Sequence, residues 1–371
     1  MEWKKAAESE YRSLIENHTW DLVPPPEDKN VIGSKWVFKV KRKADGTVQR
    51  FKGRLVAQGY TQSPGTDYDE VFAPVVRHTS IRSLLAIANI CNWEIHQMDV
   101  KTAFLQIHLN EEIYMKQPDG FIDPEKPDYV CKLNKGIYGL KQAASYWNNS
   151  INSYLVSNGY KKSTEMLKRE KEAIATKFQV EDLGELHYVL GMDIVRNREQ
   201  RTMSISQRKY LEGVLKKFGM ENCKPISTPL EFGKKYEELS KEEEKLDTRR
   251  YQRAIGCLTY AATISRPDLS TAVSILSKFM SKPSVEHWKG VKRVLLYVQG
   301  TLDYGLLYSA ENTSVTLAGY TDADWGGDVS TRRSTTGYVF QVQGNTISWC
   351  SKRQGCVARS TTEAEYIALS T

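Results

Sequence analysis

The chain has 371 residues, 40% of them hydrophobic and 26% charged, enough for two or three domains with apolar cores of their own. No apolar run approaches the ~20 residues of a bilayer span, and the start Met1-Glu2-Trp3-Lys4-Lys5 lacks the apolar stretch of a signal peptide, so neither a membrane role nor secretion is expected. Cys91, Cys131, Cys223, Cys257, Cys350 and Cys356 show no Cys-x-x-Cys spacing and no histidine at zinc-finger distance, which points to free thiols in a reducing compartment.

From the N-terminus, Glu2 to Asn17 places Trp3, Ala7, Leu14 and Ile15 near one helical face, and the helix stops before Pro24-Pro25-Pro26. Apolar and basic residues then alternate from Trp36 to Val40, Ala44-Asp45-Gly46-Thr47 supplies a hairpin turn, and Val48 to Tyr60 returns. This basic β-ribbon holds Lys35, Lys39, Lys41, Arg42, Lys43, Arg50, Lys52 and Arg54 against Asp45 alone, an excess equal to the whole chain's +7. A solvated hairpin face would look the same; a phosphate-binding surface is the functional alternative.

Thr79 to Asn92 reads as a helix feeding the strand Trp93-Glu94-Ile95-His96-Gln97-Met98-Asp99, whose C-terminal end carries a carboxylate. A strand pair follows at Ile113 to Lys116 and Tyr129 to Leu133, then a helix from about Lys141 to Asn158 and another from about Glu165 to Phe178, with scarcely a turn between them at 159–164. A strand runs through Asp193-Ile194, and the Lys- and Glu-rich stretch Glu231 to Arg250 reads as an exposed linker or helix surface. Three helical patterns fill Tyr251 to Gly300, with Pro267 and Pro283 near helix starts. After Leu306 three antiparallel strands are expected, at Val315 to Tyr320, Gly337 to Val342 and Thr346 to Trp349, and a capped helix from Thr361 to Leu369.

Gly33-Ser34-Lys35-Trp36-Val37-Phe38-Lys39, Arg54-Leu55-Val56-Ala57-Gln58-Gly59-Tyr60, Met98-Asp99-Val100-Lys101-Thr102-Ala103-Phe104-Leu105, Tyr138-Gly139-Leu140-Lys141-Gln142-Ala143, Asp182-Leu183-Gly184-Glu185-Leu186, Ser265-Arg266-Pro267-Asp268 and Asp322-Ala323-Asp324-Trp325 occur in that order. Together they resemble the reverse transcriptase and ribonuclease H part of Ty1/copia retrotransposon Pol polyproteins. The resemblance implies an α+β architecture: a polymerase fingers, palm and thumb-like region over 1–230, a charged linker over 231–250, a helical connection over 251–312, and a truncated ribonuclease H-like α/β domain over 313–371. It also implies Mg2+ or Mn2+ as cofactor, an RNA/DNA template-primer and a dNTP as partners, and a cytoplasmic, virus-like-particle setting with a nuclear role. Oligomeric state is not implied.

Residue by residue, the resemblance makes Lys39, Lys52 and Arg54 phosphate contacts of the fingers, Asp99 the palm's metal-binding aspartate with the Val100 carbonyl beside it, and Phe104 the aromatic gate under the sugar. Tyr138, Gly139 and Lys141 match the loop and helix that support template and nucleotide, with Ala144 where the family usually has proline. Asp322 and Glu365 match carboxylates of the ribonuclease H metal site; Asp324 and Glu363 are expected in supporting or solvent positions. A helix cap at Asp99, a core position for Phe104 and strand-end caps at Asp322 are the structural alternatives.

One departure is large. A palm needs a carboxylate pair facing its first aspartate, because both attacking and leaving oxygens of nucleotidyl transfer require a cation, and no Asp-Asp occurs anywhere in the 371 residues. Near 163–165 the chain lacks the family's strand pair and Tyr-x-Asp-Asp turn, the mark of an internal deletion. The expectation is therefore a retrotransposon-derived RNA-directed DNA polymerase that is catalytically inactive in this form, with a non-catalytic nucleic-acid-binding remnant as the alternative.

Overall fold

The computed structural model describes residues 2–42, 47–157, 164–237 and 247–371. In chain order the first elements are α1 (Glu2–Glu16), β1 (Trp20–Val23), β2 (Val31–Ile32), β3 (Ser34–Arg42), β4 (Val48–Ala57), α2 (His78–Ile90), β5 (His96–Val100), β6 (His108–Lys116), β7 (Val130–Lys135), α3 (Ala143–Ser157), α4 (Thr164–Lys177) and β8 (Val180–Glu185). There follow β9 (Tyr188–Val189), β10 (Met192–Asn197), β11 (Thr202–Ser206), α5 (Arg208–Phe218), α6 (Thr248–Ile264), α7 (Ser270–Ser277), α8 (Val285–Gly300), β12 (Gly305–Ser309), β13 (Leu317–Ala323), β14 (Thr335–Val342), β15 (Asn345–Arg353) and α9 (Thr361–Leu369). The mixed helix and strand content agrees with an α+β chain. The expected turn at 44–46 and the junction at 159–163 lie outside the described residues.

Two compact units form, and both are discontinuous in sequence: Met1–Val75 with Gln97–Gly184, and Val76–His96 with Glu185–Thr371. In the first, the sheet runs β1-β7-β6-β2, and two further strand pairs are β3-β4 and β5-β8. Its core joins Leu14 of α1 and Trp20 to Ile113, Met115, Cys131 and Leu133 of β6 and β7, with Leu55 and Ile137. Cys131 is fully buried, and burial pushes its thiol up to about 12, so it stays a protonated apolar filler. Strands β1 and β2 carry too few residues for a periodic signal and form because β6 and β7 offer edges to pair with. The stretch Val180–Glu185 likewise becomes a strand through pairing with β5 rather than through its own propensity.

The second unit has a four-stranded sheet, β12-β11-β10-β9, a three-stranded meander, β13-β14-β15, and a helical core. Helix α5 buries Leu211, Val214 and Leu215 along one stripe and ends at Gly219, whose φ of +68° closes the last turn. Helix α6 starts at Thr248, inside the stretch expected to be linker, because the Asp247 carboxylate accepts from the Arg249 N–H at 3.0 Å and caps it. Residues 238–246 of that stretch lie outside the described residues.

The Ser265-Arg266-Pro267-Asp268 motif forms a clamp around a buried arginine. Arg266 is fully buried; it donates to both oxygens of Asp268, at 2.9 and 2.7 Å, and to the carbonyl and hydroxyl of Thr301, at 3.0 and 2.7 Å. It thereby ties the end of α6 to the end of α8.

Candidate nucleic-acid interface and carboxylate sites

Alternation along β3 and β4 sorts the ribbon into two chemically opposite faces. The register sets Lys35 opposite Val56, Val37 opposite Arg54, Lys39 opposite Lys52 and Lys41 opposite Arg50 on one face. Trp36, Phe38, Val40, Phe51 and Leu55 share the other. The apolar face takes Trp3 of α1, whose ring lies 5.3 Å from Phe38 and 4.5 Å, edge-on, from Phe51. Gly53 is needed there, since an added Cβ would come within 3.2 Å of the Ala6 backbone.

The cationic face carries like charges directly opposite one another, an arrangement that destabilises a bare sheet. Burial and then the neighbouring Arg54, Lys41 and Arg50 hold the Lys52 ammonium below the ordinary lysine range, while Glu10 of α1 acts in the opposite sense. A polyanion along this face would remove the repulsion.

Near the Ala57 end of β4, three expected site residues meet in one stack. The Arg54 guanidinium lies 4.3 Å over the Tyr138 ring, and that ring stands edge-on to Phe104 at 4.9 Å. Gly139 has φ of +97°, and a Cβ there would sit 2.1 Å from the Ala57 carbonyl oxygen, so only glycine lets the loop touch the ribbon. The contact is sealed by the Ala57 N–H donating to the Tyr138 carbonyl at 2.7 Å. Ala144 lies in the first turn of α3, where the backbone accepts alanine and proline alike.

Lys141 is placed differently from the other cations. Its ammonium donates to the Tyr68 hydroxyl at 3.0 Å and lies over that ring at 4.9 Å, while its backbone N–H donates to Gln62. Gln142, fully buried, donates to the Asp67 carbonyl and accepts from Gln62; the Asp67 carboxylate accepts from Asn30 and from the Ser63 N–H. This network, which fixes the Tyr138 loop, was missed from sequence. The Asn30, Gln62 and Gln142 links each join loop residues 37–80 positions apart, so no local pattern announces them.

Asp99 lies exposed near the end of β5, on the β5-β8 pair. Beyond it Thr102 takes φ of +47°, and Gln106 holds the turn by donating to the Lys101 carbonyl and accepting from the Gln179 N–H. The acidic residues of β8 are engaged with lysines: Glu181 pairs with Lys101 at 3.4 Å and Asp182 with Lys171 at 2.8 Å. Among the described residues no group of three or more His, Cys, Asp or Glu side chains could hold a metal ion. Mg2+ is held by one or two carboxylates together with waters and phosphates, so Asp99 with the Val100 carbonyl is a donor set for one cation at most. The described residues around β5 do not fit a two-cation centre.

In the second unit, Asp322 is exposed on β13 opposite Gly337 of β14. Glu365, in the second turn of α9, accepts from the Ala323 N–H at 3.2 Å, so α9 brings its carboxylate to the strand residue next to Asp322. The two flanking acids serve as caps: Asp324 accepts from the Thr335 N–H, and Glu363 accepts from the Arg359 N–H while its own N–H donates to Ser360.

Residues 17–168 and 161–232 match the family described as reverse transcriptase (RNA-dependent DNA polymerase). The chain belongs to this family. It is 42% identical over 404 residues to the retrovirus-related Pol polyprotein from transposon TNT 1-94 of Nicotiana tabacum, covering 98% of this chain and 30% of that protein. Identity is 41% over 396 residues to the corresponding polyprotein from transposon RE2 of Arabidopsis thaliana, covering 98% and 27%. The putative transposon Ty5-1 protein of Saccharomyces cerevisiae is 32% identical over 305 residues, covering 74% of this chain and 98% of that protein.

This reverse transcriptase region, of the type found in Ty1/copia Pol polyproteins, spans under a third of the two plant polyproteins. Both plant alignments run longer than the 371-residue chain itself, so each relative has residues without a counterpart here. The two family-matched segments meet at 161–168, within or beside the residues left undescribed.

Proposed function

We propose that this chain is a Ty1/copia-type reverse transcriptase segment that binds nucleic acid and does not polymerise. The first unit supplies fingers and an incomplete palm; 251–312 forms a connection, and 313–371 the N-terminal part of a ribonuclease H-like domain. The observation that carries the reading is the ribbon's one-sided cationic face, ending at the Arg54-Tyr138-Phe104 stack. Cations that track a backbone beside aromatic rings that take a base or sugar are the requirements of template-primer contact.

The inactivity reading is supported by the missing Asp-Asp, by alignments longer than the chain, and by family segments that meet at 161–168. Loss of two carboxylates facing a dication removes on the order of 16 kcal/mol of gross attraction at an effective dielectric of 20, most of it offset by desolvation. Even a few remaining kcal/mol corresponds to several powers of ten in rate. Lys39, Lys52 and Arg54 hold phosphates, Tyr138 and Phe104 support the terminal nucleotide, and Lys141 works from behind by fixing the loop. Asp322 and Glu365 are the carboxylates that would approach a magnesium ion in a ribonuclease H-like site.

Primer extension with the purified full chain, dNTPs and Mg2+ tests the catalytic half. The expected result is no template-dependent incorporation; incorporation abolished by Asp99→Asn would overturn it. Salt-dependent binding of a primer-template that survives Asp99→Asn tests the binding half, and no binding at low salt would remove it.

A further inference from the structure

Ser or Thr precedes Pro at two places in the chain, Ser63-Pro64 and Thr228-Pro229, and the surroundings of the two are chemically opposite. Thr228 lies on a strap, residues 223–237, that is neither helix nor strand and runs along α8 in the reverse direction. At one end a Cβ added to Gly300 would come within 2.9 Å of Pro225; at the other, the His287 Nε2 donates to the Glu237 carbonyl at 2.8 Å, and Gly290 leaves room for the Tyr236 hydroxyl. Ile226 and Leu230 rest against the helical core. Among the described residues no backbone hydrogen bond holds 224–230. Thr228 is exposed, and its Oγ1 accepts from the Arg293 Nη2 at 2.9 Å.

Nε and Nη2 form one edge of a guanidinium, the edge that grips two oxygens of an oxyanion at once. In Arg293 the Nη2 of this edge is engaged by a neutral hydroxyl, while the Nε–H is buried and has no hydrogen-bond partner among the described residues. A buried donor left unpaired carries a desolvation cost. The one acid of α8, Glu286, is taken by Lys289 and by Lys234 at 3.4 Å. Burial raises the Tyr236 hydroxyl above its ordinary value; Glu231 adds to that and Arg293 opposes it, so Glu231 is the acid of the strap that shares this neighbourhood. Ser63 has the reverse setting: its N–H donates to the Asp67 carboxylate at 2.8 Å, and a second anion there would face an existing one.

We propose that Thr228 is a phosphorylation site, and that phosphothreonine at this position closes on Arg293 and fastens the strap to α8. The Thr228 Oγ1 attacks the γ-phosphorus of a nucleoside triphosphate held by a proline-directed protein kinase. The bond from that phosphorus to the bridging oxygen breaks, the diphosphate leaves with the electron pair, and the hydroxyl proton passes to the kinase's base. Pro229 offers the fixed φ and missing N–H that such a kinase reads, and a stretch without a backbone ladder lifts readily into its cleft. The phosphate exchanges a neutral acceptor for about −1.5 to −2 of charge and three oxygens. Being carried on the side chain that already touches Nη2, it reaches Nε along the same edge rather than from solvent. Failure of this assignment would leave the ribbon's proposed role untouched.

The test treats the full chain with a purified proline-directed Ser/Thr kinase and ATP and maps the phosphate by mass spectrometry. Thr228 is expected to be the principal site, and Thr228→Val to abolish it. In the modified chain, phosphorus NMR should place the second ionisation of the phosphothreonine about half a pH unit lower than in the same modified chain carrying Arg293→Gln. Amides of 225–237 should exchange about tenfold more slowly than before modification, a gain that Arg293→Gln removes. Arg293→Lys keeps the charge and loses the fork, so it should restore the ionisation shift but only part of the protection, which separates pairing from a general effect of substitution on folding. No phosphate on Thr228, or no more there than on Ser63, would overturn the proposal. So would an ionisation and an exchange rate indifferent to Arg293.

Discussion

The two units treat their acidic residues in opposite ways. In the first, Asp99 ends a strand whose partner spends its acids on Lys101 and Lys171, while the cations and aromatics around Tyr138 are closely knit. In the second, Asp322 and Glu365 come to neighbouring positions because an intact helix, α9, packs against an intact strand, β13. A carboxylate site depends on every element that carries one of its acids, so loss of one element would dissolve it. Binding surfaces tolerate such loss better, since each cation acts on a phosphate largely by itself.

That contrast can be broken most sharply through the clamp of the second unit. Arg266→Ala removes the donor to the buried Thr301 carbonyl and hydroxyl and empties a fully buried site, and should cost about 3–5 kcal/mol, read by hydrogen exchange as lost protection in residues 185–371. Equal loss of protection in the first unit would show that the two share their stability. In the first unit Gly139→Ala should cost about 2–3 kcal/mol in urea unfolding, because φ of +97° is strained for any Cβ and the Ala57 carbonyl blocks it. A neutral result would dissolve the proposed loop-ribbon lock.

Binding supplies the next effect. Neutralising Lys39, Lys52 and Arg54 should weaken primer-template affinity ten- to hundredfold and lower the slope of log affinity against log salt by about 2–3, in fluorescence anisotropy at several salt concentrations. An unchanged slope would relocate the interface. Glu365→Gln should cost about 1 kcal/mol through a weaker bond from the Ala323 N–H, visible as a small shift in melting temperature.

The smallest effect concerns pH. Lys52 is held below the ordinary lysine range in the folded chain, so between that lowered value and the unfolded value the unfolded chain binds more protons and stability rises with pH. The penalty is fully present below this window and gone above it. Lys52→Met should flatten the alkaline rise, measured by urea unfolding across that range; a rise unchanged by the substitution would assign it to other groups.

Sequence periodicity sufficed for the long elements. The helices at α1, α2, α3 and α4 and the meander β13-β14-β15 fall within a few residues of expectation, because amphipathic repeats and turn residues are local. Strands β1, β2, β11 and β12 and helix α5 were not foreseen; the short strands add to edges offered by β6, β7, β10 and β11. Among site residues, Lys39, Lys52, Arg54, Phe104, Tyr138 and Gly139 were legible as motifs and do gather around one ribbon. The Gln62-Gln142-Asp67 network and the Arg293-Thr228 contact were not legible, being built from single polar residues far apart in the chain.

By itself the sequence determined the membership of this chain in its family, the one-sided charge of the ribbon and the lack of an adjacent aspartate pair, since composition, alternation and motif order are all local properties of the chain. Only the tertiary structure decided that Lys141 is consumed by Tyr68, that Arg266 clamps α6 to α8, and that Glu365 reaches the strand of Asp322. Those outcomes depend on which distant groups share a desolvated space, where an unpaired charge costs far more than it does in water.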